Sequence, residues 1–297
     1  MLWVHDTQAD GPPLEFHGQP LVTPELVIIG SDRREESAVA FVYAFDRKSG
    51  KVRWKAPVPI GVMTDVIAIG DRIYAGTLQD RLLCLDAQTG KVQWTFEAKS
   101  SGNLANRTSD PAADLRRIYF ADGGGTLYAV DAHSGELIWK RDLGSRPTTS
   151  VLLFRGRLYV GTAASRLFRI DPESGKVDSE LALSAVPSSP LAASGDLLFL
   201  FQGESEIAAV DLSRLELRWK QSFAAPISSA RPYVWRDTLL VGDEHGGLSG
   251  FRIVDGAAEW SETFPGMVRG IGQSQKTLYL GTLKGDIYAW DPDAAGQ

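Results

Sequence analysis

Along this chain apolar and polar residues alternate in short runs that are broken by Gly, Ser and Asp. Alternation with a period of two puts successive side chains on opposite faces of a strand, so the pattern predicts antiparallel β structure. "LYVGTAASRLFRID", from Leu158, reads as two strands around a tight connection; "DPESGK" is the next turn, and "PTTSVLLFRGR", from Pro147, supplies a strand upstream. No stretch of useful length carries a helical period.

The pattern repeats. "AFDRKSGKVRW" (Ala44 to Trp54), "CLDAQTGKVQW" (Cys84 to Trp94) and "AVDAHSGELIW" (Ala129 to Trp139) share an Asp, a turn Gly and a Trp at fixed spacing. The Asp slot falls at Asp46, Asp86, Asp131, Asp171, Asp211, Arg252 and Asp291, in steps of 40, 45, 40, 40, 41 and 39 residues. Eight residues after the first six slots stand Trp54, Trp94, Trp139, Ser179, Trp219 and Trp260. Four strands at a period of about 42 residues describe a β-propeller blade. The predicted fold is therefore all-β: one seven-bladed propeller domain over 1–297, of four-stranded antiparallel blades. The blades fall near 18–54, 62–94, 106–139, 147–179, 187–219, 227–260 and 267–297, the last completed by 1–6. The seventh copy stops before its Trp-bearing strand, and Trp3 in "MLWV" is the orphan it requires, so the N-terminal strand is expected to close the ring.

Within the repeat each residue has a physical task. The Asp caps the turn through backbone amides and the Gly supplies a positive φ angle. The Trp lies against the neighbouring blade's turn, where burying one indole contributes on the order of 2–3 kcal/mol. Trp3, Trp54, Trp94, Trp139, Trp219 and Trp260 are thus expected as joints between blades.

Charge narrows the partners. A net charge of −6 and a pI near 5.3 argue against a nucleic-acid groove or an anionic membrane surface. No apolar run reaches the ~20 residues of a membrane span. The N-terminal residues do not have the basic and apolar regions of a signal peptide. The chain reads as cytoplasmic as it stands, or as a cell-envelope protein if an export leader has been removed. The single cysteine, Cys84, excludes an intramolecular disulfide and is expected as a buried small residue.

The motif Ala-x-Asp-x-x-Thr/Ser-Gly-Lys/Glu-x-x-Trp resembles the tryptophan-docking motif of pyrroloquinoline-quinone-type β-propeller repeats. That superfamily holds bacterial quinoprotein alcohol dehydrogenases and BamB-like lipoproteins of outer-membrane β-barrel assembly. The resemblance spans all seven repeats and implies the WD40-like propeller fold. Departures mark particular copies: Cys84 stands for Ala in the second, Ser179 for Trp and Arg169 for Ala in the fourth, Leu215 for Gly in the fifth, Arg252 for Asp in the sixth, and Ala295 for Gly in the seventh. The fourth joint is expected to be weaker.

A quinoprotein site implies adjacent cysteines and a Ca²⁺ held by Glu, Asn and Asp; with one cysteine the pair is missing, and no cofactor is expected. His5, His17, His133 and His245 have no metal-ligand spacing among them. "DEHGG" at Asp243 and "GGG" at Gly123 read as hairpin tips, with no helix following to make a phosphate loop. No catalytic residue and no metal site is assigned.

Small polar residues recur before the second strand of most copies: Thr64, Ser109, Thr149, Ser189 and Ser229, with Asp65 beside the first. Crowding of inner strands at the axis demands small side chains there. Arg107, Arg231 and Arg269 are candidates to converge on a carboxylate or phosphate at the channel mouth. Two insertions break the spacing: "SDRREESAVA", Ser31 to Ala40, expected as a solvated hairpin tip, and "EAKSSGNLANRTSDPAAD" after Phe96, where a peptide or small-ligand contact is expected. The function expected is a non-catalytic, monomeric scaffold that presents loops and channel mouth to a protein or small ligand. A quinone-dependent or other channel-site oxidoreductase, and a ligand-sensing module, are the alternatives.

Overall fold

The computed structural model describes Trp3, His5 and residues 14–16, 18–33, 39–58, 61–98, 109–188, 190–227, 231–274, 277–282 and 286–291. Among them there is no helix, and so none long and apolar enough to cross a membrane. The strands form six four-stranded sheets and one three-stranded sheet in which neighbours in sequence are neighbours in space, as in Val66–Ile69, Arg72–Thr77, Arg81–Asp86 and Val92–Glu97 of the second blade. These are the seven predicted blades.

Contacts divide the chain into two compact units. The first comprises Met1–Ala164 and Ile170–Val177 and holds blades one to three with the start of the fourth sheet. The second comprises Ser165–Arg169 and Asp178–Gln297 and holds the remainder.

Strand position within a blade follows from its apolar content. The second strand of blade five, Leu197–Gln202, is buried at every residue, whereas the outer strand of blade four, Val177–Ala182, alternates between partly covered and exposed. A continuous apolar run suits a strand packed on both faces; alternation suits one with a face to water. In the first unit Ile28, Val42 and Ala44 pack with Trp54, Ile73 and Leu85 between blades one and two. In the second, Phe199, Ile207 and Ala209 pack with Trp219, Leu239 and Phe251 between blades five and six.

Just before each docking Trp the outer strand slips register: Ala44 faces Trp54 while Phe45 faces Val52, leaving Arg53 as the extra residue. The same bulge recurs at Gln93, Ile138, Arg218 and Glu259. A bulge bends and twists the strand, which also makes it a poor edge for pairing with another chain.

The seventh sheet consists of Val268–Ser274, Thr277–Thr282 and Ile287–Trp290. Residues 1–2, 4 and 6–13 lie outside the described residues, and with them the expected pairing of the N-terminal strand. Trp3 itself sits on the first blade's turn, its Nε1 donating to the Arg47 carbonyl at 3.0 Å. Residues 34–38 of the first insertion lie outside the described residues, and with them the solvated tip expected there. Asp32–Arg33 pairs antiparallel with Leu14–Glu15 in a short ribbon, because the hairpin's extra length offers backbone groups that a neighbouring segment satisfies.

Candidate functional site

The joints form as the motif predicts. Asp46 Oδ1 accepts from the Ser49 amide at 2.9 Å, the Ser49 hydroxyl at 2.8 Å and the Lys48 amide at 3.2 Å. Asp86 accepts from Thr89 and Gln88 in the same way. These bonds favour the ionised form and hold both carboxyls below the ordinary range, the hydroxyls of Ser49 and Thr89 contributing most. The indole of Trp54 donates to the Ala87 carbonyl at 2.9 Å, Trp139 to Pro172 at 2.9 Å and Trp219 to Ile253 at 2.8 Å. Each accepting carbonyl follows the Asp slot. The turn glycine lies flat under the ring: a Cβ at Gly135 or Gly256 would stand 2.6 Å from an indole carbon, and both have positive φ. Arg252, in the Asp slot of blade six, pairs with Asp255 at 3.0 Å while Gly256 still donates to its carbonyl.

The second joint is built differently. Trp94 rests on Gly135, yet its Nε1 has no partner among the described residues, while the Ala132 carbonyl accepts from the Tyr74 hydroxyl at 2.9 Å. Arg72 bonds the His133 carbonyl and Nδ1, both at 2.9 Å, so the exposed turn histidine ties two blades together. Cys84 lies opposite Trp94 with no exposure; burial pushes its thiol up, against the pull of Arg72. It is a packing residue of the joint, with no adjacent cysteine, so the residues present do not fit a quinone sandwich.

The recurrent small polar residues have a backbone role. Thr64 Oγ1 accepts from the Gly76 amide at 3.1 Å, Ser109 Oγ from Ala121 at 3.0 Å and Thr149 Oγ1 from Gly161 at 2.8 Å. Each hydroxyl ties the start of a blade's inner strand to its second strand. Beside them Asp65 Oδ1 accepts from the Gln19 amide at 2.7 Å, and the Asp65 amide donates to Asp110 Oδ1 at 3.1 Å, linking blades one to three. Arg231 is half-buried and engaged by its surroundings. Arg107, Ser189, Ser229 and the side chain of Arg269 lie outside the described residues, and so does any meeting of the three guanidinium groups.

A second polar series escaped sequence reasoning. Ser31, Thr77, Asp122, Thr162, Gln202 and Thr282, all buried, end the second strands, and partly covered Asp243 holds the same place in blade six. Asp122 accepts from the Thr126 amide and the Tyr128 hydroxyl, both at 2.8 Å, and Asp243 from the His245 and Gly247 amides. "DEHGG" is thus turn chemistry. The Gly123 amide of "GGG" donates to buried Asp80 of the preceding blade at 2.9 Å. The signal was the Thr that follows Gly in "YAGT", "YVGT" and "YLGT". Among the described residues no His, Cys, Asp and Glu cluster could hold a metal ion.

With the hydroxyls of Thr64, Ser109 and Thr149 and the acids Asp122 and Asp243 bound to backbone, departures from the repeat stand out. In a four-stranded meander the hairpin between the middle strands and the link to the next blade lie at one end. The first blade's hairpin therefore lies at that end, here called the loop edge, and carries the Leu14–Glu15/Asp32–Arg33 ribbon. Residues 99–108 of the second insertion lie outside the described residues, and with them the peptide or small-ligand contact expected there.

Comparison with known proteins agrees with this architecture. The family model described as outer membrane protein assembly factor BamB matches residues 2–152, 36–189 and 100–295. BamB of Escherichia coli is 27% identical over 209 residues, 64% of this chain and 49% of that protein. A quinohemoprotein alcohol dehydrogenase, ADH IIB of Pseudomonas putida, is 30% identical over 105 residues, 33% of this chain and 15% of the enzyme. The chain spans about half the length of the curated BamB relatives it matches. The crystal structure of BamB from Moraxella catarrhalis aligns with a TM-score of 0.77 at 17% identity, covering 95% of this chain and 84% of the other, which shows the β-propeller fold. By its repeats, its latched joints and these matches, the chain belongs to the BamB family of β-propellers.

Proposed function

We propose that this chain is a non-catalytic scaffold of the cell envelope that holds a protein partner at the loop edge of its first unit and needs no cofactor. The ribbon on the first blade's hairpin carries this reading. It is an addition to the repeat, and added loop structure on a rigid scaffold is where recognition concentrates. The relatives' name, outer membrane protein assembly factor, supports a partner among proteins that handle outer-membrane polypeptides.

Site-specific photocrosslinking tests it. A crosslinker at Val39, 49% exposed beside the ribbon, is expected to capture a discrete protein from an envelope extract, whereas one at exposed Lys91, in a turn at the opposite end of blade two, is not. Capture at Lys91 alone, or dye-linked alcohol oxidation on adding quinone and Ca²⁺, contradicts the reading.

A further inference from the structure

We propose that the joint between blades four and five is a polar latch, built by the coordinated exchange of three residues, and that it opens more readily than the indole joints. In blades one, three and five a small residue faces the docking Trp across the outer hairpin: Ala44 with Trp54, Ala129 with Trp139 and Ala209 with Trp219. In blade four these positions hold Arg169 and Ser179, so the large side chain has moved from the outer strand to the third strand. Arg169 Nη1 donates to the Leu212 carbonyl at 2.9 Å and to Ser213 at 3.0 Å. Leu212 follows Asp211, so the guanidinium reaches the carbonyl that an indole Nε1 reaches in other joints.

The third exchange depends on the first two. At Gly175 a Cβ would stand 2.5 Å from Trp139, and at Gly256 2.6 Å from Trp219. Leu215 occupies the same turn position at φ 56° and is 3% exposed. A side chain fits where no indole lies over the turn. The turn itself is unchanged, since the Leu215 amide donates to the Asp211 carbonyl at 2.8 Å as Gly175 does to Asp171 at 2.9 Å.

The exchanged latch is weaker for identifiable reasons. It replaces an apolar ring by a charged group, and it leaves Arg169 Nε and Ser179 Oγ buried without a partner among the described residues. It also puts a residue with a Cβ in the left-handed region.

Residue-resolved amide hydrogen exchange on the unmodified chain compares the same hydrogen bond across joints. The Leu215 amide is expected to show a protection factor at least tenfold below those of Gly90, Gly175 and Gly256. Equal or higher protection at Leu215 overturns the proposal without any variant. Ser179→Trp alone is expected to lower the thermal midpoint, because the new indole meets Arg169 and Leu215, and adding Arg169→Ala and Leu215→Gly is expected to recover it. A Ser179→Trp protein as stable as the parent, or no recovery in the triple variant, overturns the coordinated exchange.

Discussion

At Trp54 one side chain does two things: its ring covers Gly90 and its Nε1 holds the Ala87 carbonyl. Among the described residues Trp94 does only the first, its Nε1 having no partner there. Trp54→Phe is therefore expected to cost about 1 kcal/mol more than Trp94→Phe, the net worth of one hydrogen bond; equal urea-unfolding losses would contradict the distinction. Truncation of either to Ala is expected to cost ~3–5 kcal/mol. The indole positions were legible because Trp recurs eight residues after Asp. The missing Nε1 bond was not, since it depends on where the folded sheet sets the ring against the next blade's turn. Thr64, Ser109 and Thr149 show the same limit: their recurrence was visible, but their acceptor role follows from backbone groups twelve residues downstream.

At the scale of elements, the Asp-capped turns make stability depend on acid. Hydroxyl and amide donors hold Asp46, Asp86, Asp171 and Asp211 below the ordinary carboxylate range, with the hydroxyl first in each, and the Ser134 amide does so first for Asp131. A carboxyl whose folded pKa is depressed contributes stability that is present above its unfolded value, about 3.9, and lost as pH falls through the lower folded value. The urea midpoint is thus expected to be flat from pH 7 to 5 and to fall below pH 4. Asp86→Asn combined with Asp131→Asn, which keeps an acceptor in each turn, is expected to make that fall shallower; an unchanged acid slope would refute the assignment. Strand order and turn positions were readable from period and punctuation. The ribbon of Leu14–Glu15 with Asp32–Arg33 was not, because two-residue strands leave no periodic trace.

For the molecule as a whole, the seven repeats made the fold legible, since a unit that cannot cover its own apolar face must stack on its neighbours. Function was less legible: the motif is architectural, and Thr64, Ser109 and Thr149, which recur beside it, are bound to the backbone. The central claim is that blades are held by an indole lying on the next blade's turn glycine. A double-mutant cycle of Trp54→Ala and Gly90→Ala in equilibrium unfolding tests it most directly. In the parent, Gly90→Ala forces a Cβ into the ring at φ 70° and is expected to cost about 3 kcal/mol. In the Trp54→Ala background only the backbone strain remains, about 1 kcal/mol, so a coupling of roughly 2 kcal/mol is predicted. Additive losses, with Gly90→Ala costing the same in both backgrounds, would contradict the latch.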